Sequence, residues 1–269
     1  MYKQAFHPAT LRKTVLEMAY AGSSVHIPSA FSIIEILAVL YRSHLRLGDR
    51  TPKAPGRDFL VLSKGHGVMA QYACLHELGW LHREDIDRYF GNGTRLKGLA
   101  DAHVPGVEAT SGSLGHGLSV GVGLALAARK KRTDQRCYAI VGDGEMNEGP
   151  IWEALLFAAQ FRLDNLFVIV DENRLQAMGS TMEVMQLGDL QAKFAAFDFD
   201  VRGVDGHDEA ALDRTFNDLK SVENGRPKAV IARTIKGKGV SFMENVNSWH
   251  YTRLNEATYR AALRELDQA

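Results

Sequence analysis

Residues 137–175 read CYAIVGDGEMNEGPIWEALLFAAQFRLDNLFVIVDENRL, and this stretch decides the fold. The apolar run 137–141 has the length and composition of a buried parallel strand, and it gives way to Gly142-Asp143-Gly144. Apolar residues at helix spacing occupy 151–161, and a second apolar run, 166–170, ends at Asp171-Glu172-Asn173. Strand, helix and strand in close succession form one unit of an α/β sheet. Working outward, further strand-like runs occur at 59–62, 199–204 and 229–234, among helical patterns at 10–19, 31–41, 68–78 and 115–130. A doubly wound, mostly parallel α/β sheet is expected. No linker, charge block or repeat interrupts 1–269, so a single domain is expected too.

Composition narrows the function classes. Lys+Arg and Asp+Glu both total 32, so there is no basic field to hold nucleic acid or an anionic membrane, and any anion has to be bound locally. The two cysteines, Cys74 and Cys137, have no CxxC spacing, and neither a signal segment nor an apolar run of membrane-spanning length is visible. A reduced, cytoplasmic protein is expected.

Sheets of this kind bind ligands beyond the carboxyl ends of their strands. The loops there are Ser63-Lys64-Gly65-His66-Gly67, Gly142-Asp143-Gly144-Glu145, Asp171-Glu172-Asn173-Arg174-Leu175 and Lys236-Gly237-Lys238-Gly239. Glycines 142 and 144 permit close backbone approach to a phosphate, while Asp143 sits where a cation could bridge to it. Asn173 ends the next strand and is therefore placed beside Asp143. A carboxylate, an amide oxygen and a backbone carbonyl suit magnesium, which takes oxygen ligands and shares its shell with phosphates. Taken alone, Gly-Asp-Gly is more often a plain turn, and a lone histidine more often a surface or core group.

GDGEMNEG followed by NLFVIVDENRLQAMG resembles the thiamine-diphosphate motif in its transketolase form. LSKGHGVMAQYACLHELGW, PGVEATSGSLGHGLSVGVGLALAARK and RTIKGKGVSFMENVNSWH are similar to the same family, so the resemblance covers nearly the whole chain. It implies the diphosphate-binding fold, with thiamine diphosphate and Mg2+ (Ca2+ or Mn2+ able to substitute) as cofactors. Asp143, the Asn173 side chain and the Leu175 carbonyl would hold the metal. Cofactor contacts are implied for His66, Ser113, Leu114, Gly115, Gly142, Asp143, Gly144, Glu145, Asn173 and His250. His26, in Ser24-Val25-His26-Ile27-Pro28, is implied to line the sugar channel together with His66 and His250. Neutral imidazoles suit this role, since they move protons near pH 7.

The sequence departs from the family at two places. Where the family has Gly-His-Pro, this chain has Gly98-Leu99-Ala100-Asp101-Ala102-His103, so Leu99 replaces a histidine and His103 is the nearby candidate to stand in for it. Tyr251 stands where glycine usually follows the last histidine.

The family's activating glutamate belongs to a pyrimidine-binding domain that nothing in 1–269 resembles. The resemblance therefore implies the N-terminal subunit of a split transketolase, transferring a two-carbon ketol unit from a ketose, as its phosphate, to an aldose or aldehyde. A separate C-terminal, pyrimidine-domain subunit is the implied partner, in an α2β2 heterotetramer with Glu148 and Glu153 at a subunit interface. Rival readings are a deoxyxylulose-phosphate-synthase-like or 2-oxoacid dehydrogenase α-like subunit, and a noncatalytic module of the same fold. The SKGHG, PGVE and Trp249-His250 stretches favour transketolase, and retention of Asp143, Asn173, His66 and His250 argues against the module.

Overall fold

The computed structural model describes residues 5–23, 25–49 and 51–268; Ser24 of the His26 segment and Ala269 of the C-terminal tail lie outside the described residues. The sequence order of strands is β1 (Phe59–Leu62), β2 (Cys137–Gly142), β3 (Leu166–Glu172), β4 (Leu175–Gln176), β5 (Gly179–Ser180), β6 (Asp200–Asp205) and β7 (Lys228–Arg233). Five of them form one sheet in the order β1-β2-β3-β7-β6, with every neighbouring pair parallel. The pair β4 and β5 is a short antiparallel hairpin directly after β3.

Alternate residues of the central strands feed two different cores, which is why these strands read as unbroken apolar runs. Leu60, Leu62, Tyr138, Ile140, Phe167 and Ile169 pack with the N-terminal helices, including Pro8–Ala21 and Val68–Glu77, and with Glu209–Ser221 and Glu256–Gln268. Val61, Cys137, Ala139, Val141, Val168 and Val170 pack on the other face with the helices Gly117–Lys130, Gly149–Gln160 and Leu190–Ala196. The expected doubly wound α/β arrangement is present, with helices on both faces of the sheet. None of the described helices is long and apolar enough to cross a membrane.

One expected helix is broken. The pattern at 31–41 is realised as Ile27–Phe31, then Ile34–Val39, then a π-turn at Leu40–His44. The break falls at Ser32, whose buried hydroxyl donates to Asp171 Oδ2 at 2.8 Å. Apolar periodicity cannot report such a break, because the residues on both sides of it are buried.

Behind the site, Arg12 lies against both carboxylate oxygens of Glu35 at 2.6 and 2.9 Å and donates to the Lys238 carbonyl at 2.8 Å. His207 Nδ1 reaches Glu35 at 2.9 Å, and His207 Nε2 accepts the Ile235 N–H at 2.8 Å. This network ties the loop after β7 to the first helices. The Glu35 carboxyl is lowered to about 2: burial opposes the shift, but His207 and Arg12 outweigh it. Glu35→Ala would leave the Arg12 charge buried without its partner. It is expected to cost about 3–5 kcal/mol in denaturant unfolding, and a loss well under 1 kcal/mol would mean that the network does not hold the loop.

Candidate cofactor and substrate site

In β2 and β3, Gly142 pairs with Asp171, so the two strand ends bring their loops side by side. The Asp143 carboxylate accepts the Gly144 N–H at 2.8 Å and the Arg174 N–H at 2.5 Å. Asn173 Nδ2 donates to Asp171 Oδ2 at 2.8 Å, which leaves its Oδ1 as the oxygen on the other side, where it accepts the Leu175 N–H at 3.1 Å. Arg174, between them, has φ +62°. A non-glycine residue in that conformation carries a local cost, which here is held by the hydrogen bonds from Arg174 and Leu175. Asp143, the Asn173 side chain and the Leu175 carbonyl thus converge on one corner.

Asp143 is buried beside the equally buried Asp171. Its carboxyl is raised to about 7, first by burial and then by the Asp171 charge, against the pull of the two N–H donors and Lys64. Such a carboxylate is short of positive charge, and a cation would supply it. Among the described residues, no group of three or more His, Cys, Asp or Glu side chains could hold a metal. Any metal set here therefore has to include the amide and carbonyl oxygens.

Glu145 works differently. Its Oε1 accepts Ser63 Oγ at 2.6 Å and the Gly115 N–H at 2.9 Å, and its Oε2 accepts the Gly142 N–H at 3.1 Å. Burial raises its carboxyl, and these donors pull it back down. Glu145 thereby staples the 63–67, 111–117 and 142–145 loops together. The approach of the first two is so close that a Cβ on Gly65 would lie 2.3 Å from the Ser111 carbonyl oxygen.

Across from the acidic corner stand three imidazoles. His26 caps the helix Ile27–Phe31, His66 lies in the 3-10 turn Gly65–Gly67, and His250 follows the turn Asn247–Trp249. Ring centroids are 5.1 Å apart for His26 and His66, 5.2 Å for His26 and His250, and 6.2 Å for His66 and His250. Burial, then the nearby lysines, lowers His26 and His250 to about 4, and burial pushes His66 well below its usual value. All three are neutral at pH 7. Lys236 joins the two corners by donating to the Leu175 carbonyl at 3.1 Å while lying 2.8 Å from His250 Nδ1.

A cavity of about 540 Å³ runs between these corners. Of the sequence-derived residues, His26, His66, Leu114, Gly142, Asp143, Gly144, Glu145, Asn173, Leu175 and His250 line it. Ser113 does not, and Gly115 reaches the site only through Glu145. His103 is not brought there either. Its backbone N–H and ring both bond Asp101, at 3.0 and 2.7 Å, and its side chain is 94% exposed. Flanking it, Ala100 is held by the Gly65 carbonyl and the Ser111 N–H, so Leu99 keeps the cavity wall and the turn at 101–104 faces away. Lys64, Lys236 and Asp171 lie in loops singled out by the sequence reading. Their roles depend on pairings between distant segments, and no local motif carries that signal.

At its carboxyl end the α/β sheet gathers an acidic oxygen corner, buried lysines and three neutral imidazoles, an arrangement suited to an anionic cofactor beside a polar substrate. The family model described as "Transketolase, thiamine diphosphate binding domain" matches residues 7–267, and the chain belongs to that family. It is 40% identical over 257 residues to an apulose-4-phosphate transketolase subunit from Phocaeicola vulgatus, covering 96% of this chain and 91% of that one. It is 39% identical over 259 residues to a 6-deoxy-6-sulfo-D-fructose transketolase subunit from a Clostridium species, covering 96% and 94%. A crystal structure of Campylobacter jejuni transketolase superposes with a TM-score of 0.88 at 28% identity, over 97% of this chain but 42% of that one.

Asp143→Asn offers a test of the acidic corner without any ligand. The folded-state value of about 7 lies above the ordinary 3.8, so this carboxyl contributes stability at low pH that is lost as pH rises through about 7. Between pH 4 and pH 8 the stability gap between variant and wild type is expected to shift toward the variant by up to about 4 kcal/mol. Urea unfolding of both proteins at the two pH values reads this shift; a gap independent of pH would contradict the assignment.

Proposed function

We propose that this chain, acting as a single thiamine-diphosphate-binding domain, is the N-terminal subunit of a split transketolase that moves a two-carbon ketol unit from a ketose to an aldose or aldehyde. The observation that carries the reading is the single cavity with Asp143 and Asn173 at one end and His26, His66 and His250 at the other. The relatives from Phocaeicola vulgatus and Clostridium, both named as subunits of transketolases, support it. The sugars in their names, apulose 4-phosphate and 6-deoxy-6-sulfo-D-fructose, support anionic sugars as the substrate class.

Asp143, Asn173 Oδ1 and the Leu175 carbonyl would hold Mg2+, the diphosphate adding further oxygens. Thiamine diphosphate, when bound, supplies the electron sink that makes a ketol carbanion accessible. The protein's share is positioning and proton handling. Lys236 offsets the negative charge of the cofactor, and the neutral imidazoles hold donor hydroxyls, with His26 and His66 taking up or returning the proton of the hydroxyl that becomes a carbonyl.

Two observations support assembly with other chains. This chain spans 38% of human transketolase, with which it is 34% identical over 241 residues, whereas it covers 91% and 94% of the two relatives named as subunits, which supports a partner chain carrying the pyrimidine-binding part. The helix Gly149–Gln160 and the turn after it leave Leu156, Phe157 and Phe161 exposed on the side that also carries Glu153. That apolar face fits self-association, giving α2β2 with the partner. Cys74 and Cys137 are both buried and unbridged, which supports a reducing, cytosolic setting.

Calorimetry with thiamine diphosphate and magnesium is expected to show Asp143→Ala and Asn173→Ala each weakening cofactor binding by about 10–100-fold; unchanged affinity in both would remove the metal assignment. The isolated chain should show no ketol transfer, with turnover appearing only after the pyrimidine-domain chain is added. Full turnover by the chain alone would refute the split arrangement.

A further inference from the structure

Another constellation of titratable groups lies at the amino end of the sheet, opposite the cavity, close to where β2 begins. The π-turn Leu40–His44 and the helix Glu209–Ser221 meet there. His44, whose side chain is 1% exposed, lies with Nε2 2.9 Å from Asp213 Oδ1 and with Nδ1 2.7 Å from the Lys220 amine. Lys220 also donates to the His44 carbonyl at 3.4 Å and sits 5.9 Å from the centre of the Tyr138 ring. Phe216 packs against the imidazole, with ring centroids 5.0 Å apart. A carboxylate only accepts, so Nε2 carries the His44 proton and Nδ1 turns a lone pair toward the amine. A nucleophile bonded to a base, and that base bonded to an orienting carboxylate, is the geometry of an activated nucleophile.

We propose that Lys220 is an acylation site, whose amine takes the acyl group of an acyl phosphate with His44 as its base and Asp213 as the positioning residue behind His44. The amine attacks the carbonyl carbon. An N–C bond forms, the C–O bond to the phosphate breaks, and phosphate leaves with the electron pair. The amine proton passes to His44 Nδ1 and from there to water. Both hydrogen-bond partners of the amine are uncharged, since burial and then the Lys220 charge lower His44 to about 4. Burial, then the Arg136 charge, lowers Lys220 to about 8; Asp58 and Asp213 pull the other way, and Arg46 adds to the lowering. Near pH 7.5 roughly a quarter of it is then neutral and nucleophilic, against about one in a thousand for an ordinary lysine. The Arg136 guanidinium, close enough to act on Lys220, favours an electrophile that carries a phosphate.

The test incubates the full chain with acetyl phosphate and follows acetylation of each lysine by peptide mass spectrometry. At pH 7.5 Lys220 is expected to react at least about 10-fold faster than the exposed Lys53 and Lys131, its larger share of neutral amine outweighing its partial burial. Its rate should level off above about pH 8.5, while theirs keep rising with pH. His44→Gln keeps a polar side chain that cannot take up the proton, and should slow Lys220 by about 100-fold, the usual worth of a general base. Asp213 is half-exposed, so Asp213→Asn leaves the fold in place, and it should slow Lys220 by about 10-fold. Thermal melting checks both variants, and Asp213→Asn decides the matter if His44→Gln does not fold. Lys53 and Lys131 should react in both as in wild type. Lys220 reacting no faster than Lys53 overturns the proposal, and so does a Lys220 rate that stays within twofold of wild type in the folded variants. Equal rates with acetyl-CoA at the same concentration would overturn the acyl phosphate as the donor.

Discussion

Asp171 ends the central strand fully buried, and it is the charge around which the site is assembled. Lys64, Ser32 and Asn173 all donate to its Oδ2, and Thr234 donates to its Oδ1. Those partners come from the β1 loop, the break between the first helices, the β3 loop and the end of β7. An ionised carboxylate inside a protein is tolerated only when it is paired and hydrogen-bonded, so its burial demands that all four segments arrive together. Although burial works against it, the neighbouring Lys64 and the hydroxyl donors keep the Asp171 carboxyl below its ordinary value. The same charge raises Asp143 next door. One buried anion thus orders the loops and leaves its neighbour in need of a cation.

Glu145 plays the complementary part on the other side of the sheet edge. Its oxygens are consumed by the protein itself, from Ser63, Gly115 and Gly142. Both acids of the Gly-Asp-Gly-Glu loop line the cavity, but the oxygens of Glu145 are taken by donors from three loops, whereas Asp143 is left in need of a cation. The stapling role of Glu145 is not visible in the spacing of the motif.

The sheet was legible because strands buried on both faces have to be apolar throughout, and 59–62, 137–141 and 166–170 have no other reading in an alternating chain. Boundaries moved by a residue or so: β6 begins and ends one residue later than its apolar run, and β7 one residue earlier. The acidic corner was legible because adjacent parallel strands in register must place Asp143 beside the end of β3. The 31–41 segment has the pattern of one helix, but Ser32 leaves that pattern to bond Asp171, 139 residues away. His103 was drawn toward the cavity by closeness in sequence, while its backbone is committed to a turn on Asp101. In each miss, a hydrogen bond outranked periodicity or proximity.

Lys236 reaches the Leu175 carbonyl and His250 Nδ1 with the same ammonium group. An ammonium can only donate, so Nδ1 of His250 must carry a lone pair, and in the neutral ring the proton is left on Nε2. The protein therefore chooses the tautomer of this histidine from behind, through a side chain that also touches the acidic corner. To a substrate, His250 presents itself as a hydrogen-bond donor, and its capacity as a base is spent on the lysine.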